Sequence, residues 1–103
     1  MAANELDPIL HNELRLRVMA ALDSLQDADF VYLKSLTGAT AGNLSVQITK
    51  LEDAGYIKVS RSGEGRGSHT VCRITSAGSK ALRIYQKTLL AIFSPTDGEN
   101  RTM

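Results

Sequence analysis

Asn43, Val46, Gln47 and Lys50 recur at i, i+3, i+4 and i+7, the spacing that places side chains on one face of a helix. Amides such as those of Asn43 and Gln47 can give and accept in a bidentate pair with adenine. A branched methyl group meets a thymine methyl, and a lysine ammonium suits guanine or phosphate. Gly42 lies on the same face, and no carboxylate does. Glu52 and Asp53 come only at the far end. The competing account is the solvated side of an ordinary amphipathic helix.

The elements around this face decide between the two accounts. Within Thr40 to Tyr56, Leu44, Ile48 and Leu51 fall at i, i+4 and i+7, an apolar stripe opposite the polar face. Thr40 can cap this helix by accepting from the free N–H of Asn43. Gly55 suits a left-handed stop, after which Tyr56 folds back towards Leu51. Upstream, a short helix over about Phe30 to Leu36 carries Phe30, Leu33 and Leu36, with Asp29 as its cap and Gly38 as its close. Two helices joined by a few residues that include glycine make a helix-turn-helix.

Before this pair, Asn12 caps a helix of roughly Glu13 to Leu25 with Leu14, Val18, Ala21, Leu22 and Leu25 as its stripe. Arg15 and Asp23 are expected to face water. Leu10 and Leu16 fall off the stripe, which reads either as scattered surface apolar residues or as burial against a second copy. Asp7-Pro8-Ile9-Leu10 suits a short starting turn, and residues 1–7 read as a flexible lead-in. The segment Gln26 to Asp29 breaks the helical pattern without a structure of its own.

After Gly55 the period changes to two. Ile57 and Val59 alternate with Lys58 and Ser60, and later Cys72 and Ile74 alternate with Val71, Arg73 and Thr75. The glycine-rich stretch Ser62 to Ser68 joins them, so the pattern predicts a β-hairpin. A last helix runs from near Ser76 to about Phe93, burying Ala77, Leu82, Tyr85, Leu89 and Ile92, with Leu90 and Phe93 widening its apolar surface. Ser94-Pro95 stops it, and residues 94–103 read as a disordered tail.

The chain has 103 residues, 43% of them hydrophobic, enough for one modest core that a partner subunit could extend. Its formal net charge is only +1, but the charge is segregated. Residues 1–57 carry four bases against eight acids, and residues 58–87 carry seven bases against one acid. The cationic section therefore follows directly after the polar-faced helix, where phosphate contacts would be useful. A single cysteine, Cys72, excludes an internal disulfide and any cysteine-pair metal or redox site. In the inward register of a strand, it reads as a packed thiol. His11 and His69 stand alone, without metal-ligand spacing, so neither a metal nor another cofactor is expected. Ser62 to Ser68 lacks the Gly-Lys-Ser/Thr run of a phosphate-cradling loop, and no catalytic constellation recurs. No apolar run suits a signal peptide or a membrane span, so a cytoplasmic protein without a membrane partner is expected.

The stretches HNELRLRVMAAL at 11–22, ADFVYLKSLTGATAGNLSVQITKLEDAGYI at 28–57 and TVCRITSAGSKAL at 70–82 together resemble the winged helix-turn-helix domain. They are similar in particular to small MarR-like and ArsR-like bacterial and archaeal transcriptional regulators. The resemblance covers about Asp7 to Tyr85. It implies a mainly α fold with a β-hairpin wing and an added C-terminal helix, occupying residues 8–93. It further implies that Ala41 to Lys50 enters the major groove while the 61–68 tip touches the backbone or minor groove, with Arg66 as the groove-seeking cation. A homodimer paired through the first and last helices follows from the same likeness. Two positions depart from the family pattern. Val31 stands where a capping Ser or Thr is usual, and Glu64 adds an acid to the wing.

The resulting expectation is a sequence-specific, double-stranded-DNA-binding transcriptional regulator without catalytic activity, a homodimer on a pseudo-palindromic operator. Asn43, Val46 and Gln47 would read bases. Thr40, Ser45, Thr49, Lys50, Lys58, Arg61 and Arg66 would hold the backbone or groove. Leu10, Leu16, Leu82, Tyr85, Leu89, Leu90, Ile92 and Phe93 would form the dimer interface. The rival from another class is a winged-helix module for protein–protein assembly, without DNA binding, that uses the last helix. A small-molecule effector is left unspecified, since no residue pattern marks a pocket.

Overall fold

A computed structural model describes residues 5–63 and 69–94. Helix α1 (Glu13–Leu25) begins at Asn12, whose side chain accepts from the Arg15 N–H at 2.9 Å. A short strand β1 (Asp27–Asp29) follows, then α2 (Phe30–Thr37), α3 (Ala41–Asp53), β2 (Ile57–Ser62), β3 (His69–Ile74) and α4 (Ser76–Phe93). The strands form one antiparallel sheet in the order β1-β3-β2. The mainly helical architecture with a β-hairpin is the one the sequence pattern predicts.

Strand β1 is the element the sequence pattern misses. Three residues, two of them aspartates, carry no alternation long enough to register as a strand. Ala28 nevertheless pairs with Cys72 and is buried, while Asp27 sits opposite Arg73 and binds it at 2.8 Å. The hairpin is thereby laced to the helical layer. Gln26 makes the turn into β1 with φ of 75° and ψ of −47°, a positive-φ conformation unusual for a side-chain-bearing residue.

The core gathers Val18, Met19 and Leu22 of α1, Leu33 of α2, Leu44, Ile48 and Leu51 of α3, Ile57, Cys72 and Ile74 of the sheet, and Leu82 and Tyr85 of α4. Several expectations for the first two helices are corrected. Leu25 and Leu36, each in the last turn of its helix, are about half exposed, whereas Met19 is fully buried beside Val18 and Leu22. Leu10 is fully buried in this core, so it presents no surface to a second copy, and Leu16 is half-buried against it. Arg15 does not face water. It bonds to the chain ahead of α1 and to α3. Asp23 receives two bonds from Arg83 at 2.7 and 2.8 Å.

The last residue of the lead-in is hydrogen-bonded to the fold. Asp7 accepts from the Ile9 N–H at 2.9 Å and from the Tyr56 hydroxyl. Val31, the departure from the usual capping residue, is exposed. Asp29 caps α2 instead, accepting from Tyr32 N–H at 2.7 Å.

In α4 the buried face is Gly78, Leu82, Tyr85 and Thr88, with Leu89 half-buried. Ala77 and Ile92 are exposed, contrary to the predicted stripe. The phase is set by Gly78. A Cβ there would lie 2.2 Å from the Tyr56 carbonyl oxygen, so only glycine lets α4 pack this close to the turn after α3. Leu82 and Tyr85 are buried at 3% and 4% exposure, which withdraws both from the expected dimer surface. The expected tail begins at Ser94, which caps α4, and otherwise lies outside the described residues.

Candidate nucleic-acid interface

Helix α3 is fixed at both ends by its own sequence. The Thr40 hydroxyl accepts from the Asn43 N–H at 3.1 Å. At the other end Gly55 takes φ of 81°, its N–H bonds the Glu52 carbonyl at 2.9 Å, and the Tyr56 N–H bonds that of Leu51 at 3.0 Å. This is the Schellman arrangement, in which a left-handed residue lets two orphan carbonyls be satisfied at once. Gly38, at φ of 73°, closes α2, and Ala39 and Thr40 then lead into α3.

Leu44, Ile48 and Leu51 are buried, so the opposite face must look outward. Thr40, Ala41, Gly42, Asn43, Ser45, Val46, Thr49 and Lys50 are exposed on α3 and its cap. Val46, at 51% exposure, is a large apolar group that folding alone leaves in water. The first three turns carry no acid.

Gln47 is placed differently from the expectation of a free amide. It is half-buried, its Nε2 donates to Asn43 Oδ1 at 3.0 Å, and its Oε1 accepts from Arg15 Nη1. Arg15 also donates from Nε to the Ile9 carbonyl at 2.6 Å and from Nη2 to the Pro8 carbonyl at 3.4 Å. Arg15 is thus a part of the site that sequence reasoning assigned to solvent. The available signal was its position one residue off the α1 stripe, beside Leu14, and that does not reveal a partner on another helix.

The segregated charge of the sequence is partly cancelled by the fold. Arg73 pairs with Asp27 at 2.8 Å, Arg83 with Asp23 at 2.7 Å, and Arg61 with Glu52 at 3.8 Å. Bases from the cationic section therefore meet acids from the first half. Among the described residues Lys50 and Lys58 form no ion pair. Arg61 is held by a long, exposed pair, which contributes little and leaves it available to a phosphate. It also shares a cleft with Phe30, Ser45, Ile48 and Thr70, which places it beside the outward face of α3.

Lys58 stands opposite Arg73 on the exposed register of the sheet, one residue out of phase with Ile57 and Val59. The structure therefore brings Arg61 to α3 but sets Lys58 on the outer face of the hairpin. Thr49 donates to the Ser45 carbonyl at 3.1 Å, so its hydroxyl is engaged along the helix. Arg66 and Glu64 lie outside the described residues.

Cys72 is fully buried, and burial pushes its thiol up to about 11, in line with a packed side chain. His11 Nδ1 lies 3.0 Å from the Tyr85 hydroxyl. Among the described residues no group of histidine, cysteine or acidic side chains is arranged to hold a metal ion, and no helix is long and apolar enough to cross a membrane. A cleft lined by Leu6, Pro8, Tyr56, Ala81, Ile84 and Tyr85 lies between the lead-in and α4, where the sequence showed no pocket.

The family model of the winged helix DNA-binding domain matches residues 14–93. The chain belongs to that family. Within this winged helix, α2 and α3 are the helix-turn-helix pair and β2–β3 is the wing. The chain is 30% identical over 84 residues to the uncharacterised protein MJ0432 of Methanocaldococcus jannaschii, covering 82% of this chain and 91% of that one. A solved structure, the transcriptional regulator homologue from Pyrococcus horikoshii OT3, superposes with a TM-score of 0.77 at 30% identity over 86% of this winged helix and 88% of its relative. The fold is shared with the transcriptional regulator BldR from Sulfolobus solfataricus, at a TM-score of 0.67, 22% identity and coverage of 88% and 66%. The likeness to small winged helix regulators of the MarR-like kind holds.

Proposed function

We propose that the winged helix is a transcriptional regulator that reads double-stranded DNA sequence-specifically, as a homodimer on a pseudo-palindromic operator. The observation that carries this reading is the exposed, acid-free face of α3, with Asn43, Val46 and Lys50 in water and Arg61 alongside. A helix of this width fits the major groove, where base edges present distinct donor and acceptor patterns. Family membership and the regulator-like relative from Pyrococcus horikoshii support it.

In this reading Asn43, Val46 and Gln47 deal with bases. Thr40, Ser45, Lys50 and Arg61 meet phosphates, with Arg66 as a further cation in the wing. The dimer surface is the exposed apolar end of α4, with Leu90, Ile92 and Phe93 between about half and three-quarters exposed, together with the half-buried Leu16 and Leu89. Two recognition helices related by a two-fold axis would then enter successive major grooves, about 34 Å apart.

Anisotropy titration against a library of short duplexes at two salt concentrations tests the reading, with sedimentation of the same sample for the dimer. Saturable, sequence-dependent binding by a dimer is expected. Binding that is equal on all duplexes, or absent, would assign the exposed α4 surface to protein assembly instead and reject DNA reading.

A further inference from the structure

The cleft between the lead-in and α4 shares no residue with the outward face of α3 and takes no part in the DNA reading proposed above. It encloses about 330 Å³, towards the lower end of the range of cavities that take small organic molecules. Pro8 of the lead-in and Ala81 and Ile84 of α4 give it apolar walls, and the side chains of Tyr56 and Tyr85 line it as well. Ile84 is 54% exposed, so folding leaves apolar surface in water along the cleft.

The charge in the cleft has one sign. Glu5 and Asp7 line it, and no lysine, arginine or histidine does so among the described residues. Neither carboxylate forms an ion pair there. The two Asp7 oxygens accept from the Ile9 N–H and the Tyr56 hydroxyl, both neutral donors, so its charge is held in place without being cancelled. Burial, followed by the bond to Asp7 and its charge, pushes the Tyr56 phenol up to about 12, so at neutral pH the phenol stays a donor and adds no charge of its own. Arg15 reaches the Pro8 carbonyl at 3.4 Å but neither lines the cleft nor pairs with either carboxylate.

Two carboxylates in a partly enclosed site attract a cation. They are too few for a metal ion, which takes six or more oxygen ligands when it is calcium, and no third histidine, cysteine or acid joins them among the described residues. Apolar walls and aromatic neighbours suit a positive charge carried on a hydrocarbon body.

We propose that this cleft binds a small organic cation of the arylalkyl ammonium class, with the ammonium group at Asp7 and Glu5 and the hydrocarbon body against Ile84, Ala81 and the two tyrosines. The site is separate from DNA reading and does not rest on it.

The test titrates the full chain with three probes of similar size: phenethylammonium, the neutral phenethyl alcohol and the anionic 3-phenylpropionate. Binding is read from the NMR signals of Tyr56, Ile84 and Tyr85. Phenethylammonium should shift these signals saturably and bind about tenfold more tightly than the alcohol, the difference expected of a charge-assisted bond. The anion should leave them in place. Asp7→Asn should bring the ammonium and alcohol affinities within about twofold of each other. Glu5→Gln should narrow the gap, and Ile84→Arg, which sets a base in the cleft, should abolish ammonium binding. Glu5 and Ile84 are exposed, so these two variants decide the matter where Asp7→Asn fails to fold.

Alcohol or anion binding as tightly as the ammonium overturns the inference, as does a charge preference that survives Asp7→Asn and Glu5→Gln, or Glu5→Gln and Ile84→Arg where Asp7→Asn does not fold. Absence of ammonium binding overturns it too. If Ile84→Arg then sediments as a monomer where the unaltered chain is a dimer, the cleft belongs to a second copy of the chain.

Discussion

Arg15 of α1 donates to Gln47 of α3 across a separation of 32 residues. The same guanidinium holds the Ile9 and Pro8 carbonyls, so one side chain ties the lead-in, α1 and α3 together. Bonds from a charged donor contribute more than neutral ones. Arg15→Met is therefore expected to lower folding stability by about 1–3 kcal/mol, read from the urea midpoint at unchanged slope. A stability within error of the unaltered protein would show that this junction holds nothing.

The cations differ in what they can do for DNA. Lys50 and Arg61 border the outward face of α3, and Arg73 and Arg83 are occupied by Asp27 and Asp23. Lys50→Ala and Arg61→Ala should each weaken binding about equally on matched and scrambled duplexes and reduce the slope of log affinity against log salt by roughly one. Arg83→Ala should leave that slope unchanged. Equal salt slopes in all three variants would reject the division.

Gly78 is a point of close approach between α4 and the turn after α3. A methyl group there would sit 2.2 Å from the Tyr56 carbonyl oxygen and 3.1 Å from Met19 Cε. Because the first neighbour is backbone, Gly78→Ala should cost about 1–3 kcal/mol or more, despite the better helix propensity of alanine. Thermal unfolding would reveal the opposite sign if α4 can shift.

High pH should destabilise the protein through two groups. Burial lifts the Cys72 thiol from 9.0 to about 11. Burial, with the hydrogen bond and charge of Asp7, lifts the Tyr56 phenol from 10.0 to about 12. Both are neutral in the fold, so their contribution is complete below the unfolded values and is lost as pH rises through the folded ones. Urea midpoints should therefore fall between about pH 9 and 12, less steeply in Cys72→Ala and Tyr56→Phe. At pH 8, Cys72 should react with a thiol reagent only as fast as the protein unfolds.

The end of α4 is where a second copy is expected. Phe93 is 76% and Leu90 67% exposed. Phe93→Glu should shift sedimentation towards the monomer with little effect on thermal stability of the chain itself, whereas Leu82→Ala, which empties a buried site, should cost about 2–5 kcal/mol of folding stability. A dimer indifferent to Phe93→Glu would place the interface elsewhere.

The sequence by itself determined the local features of this protein. Asn12, Asp29 and Thr40 mark helix starts, Gly38 and Gly55 mark ends, and the period change after Gly55 marks the hairpin, because caps, left-handed turns and alternation depend on residues a few positions apart. Those signals suffice for the winged helix and for the outward face of α3.

Only the tertiary structure decided what joins distant segments. Strand β1 exists because β3 offers Asp27 to Asp29 a ladder, not because those residues prefer one. Leu10 turned inward, Gly78 set the phase of α4, and the cationic section lost Arg73 and Arg83 to acids from the other half of the chain. Arg15 shows the reason most plainly. A guanidinium off its helix stripe is indistinguishable from a solvated one until the fold brings acceptors from Pro8, Ile9 and Gln47 within its reach.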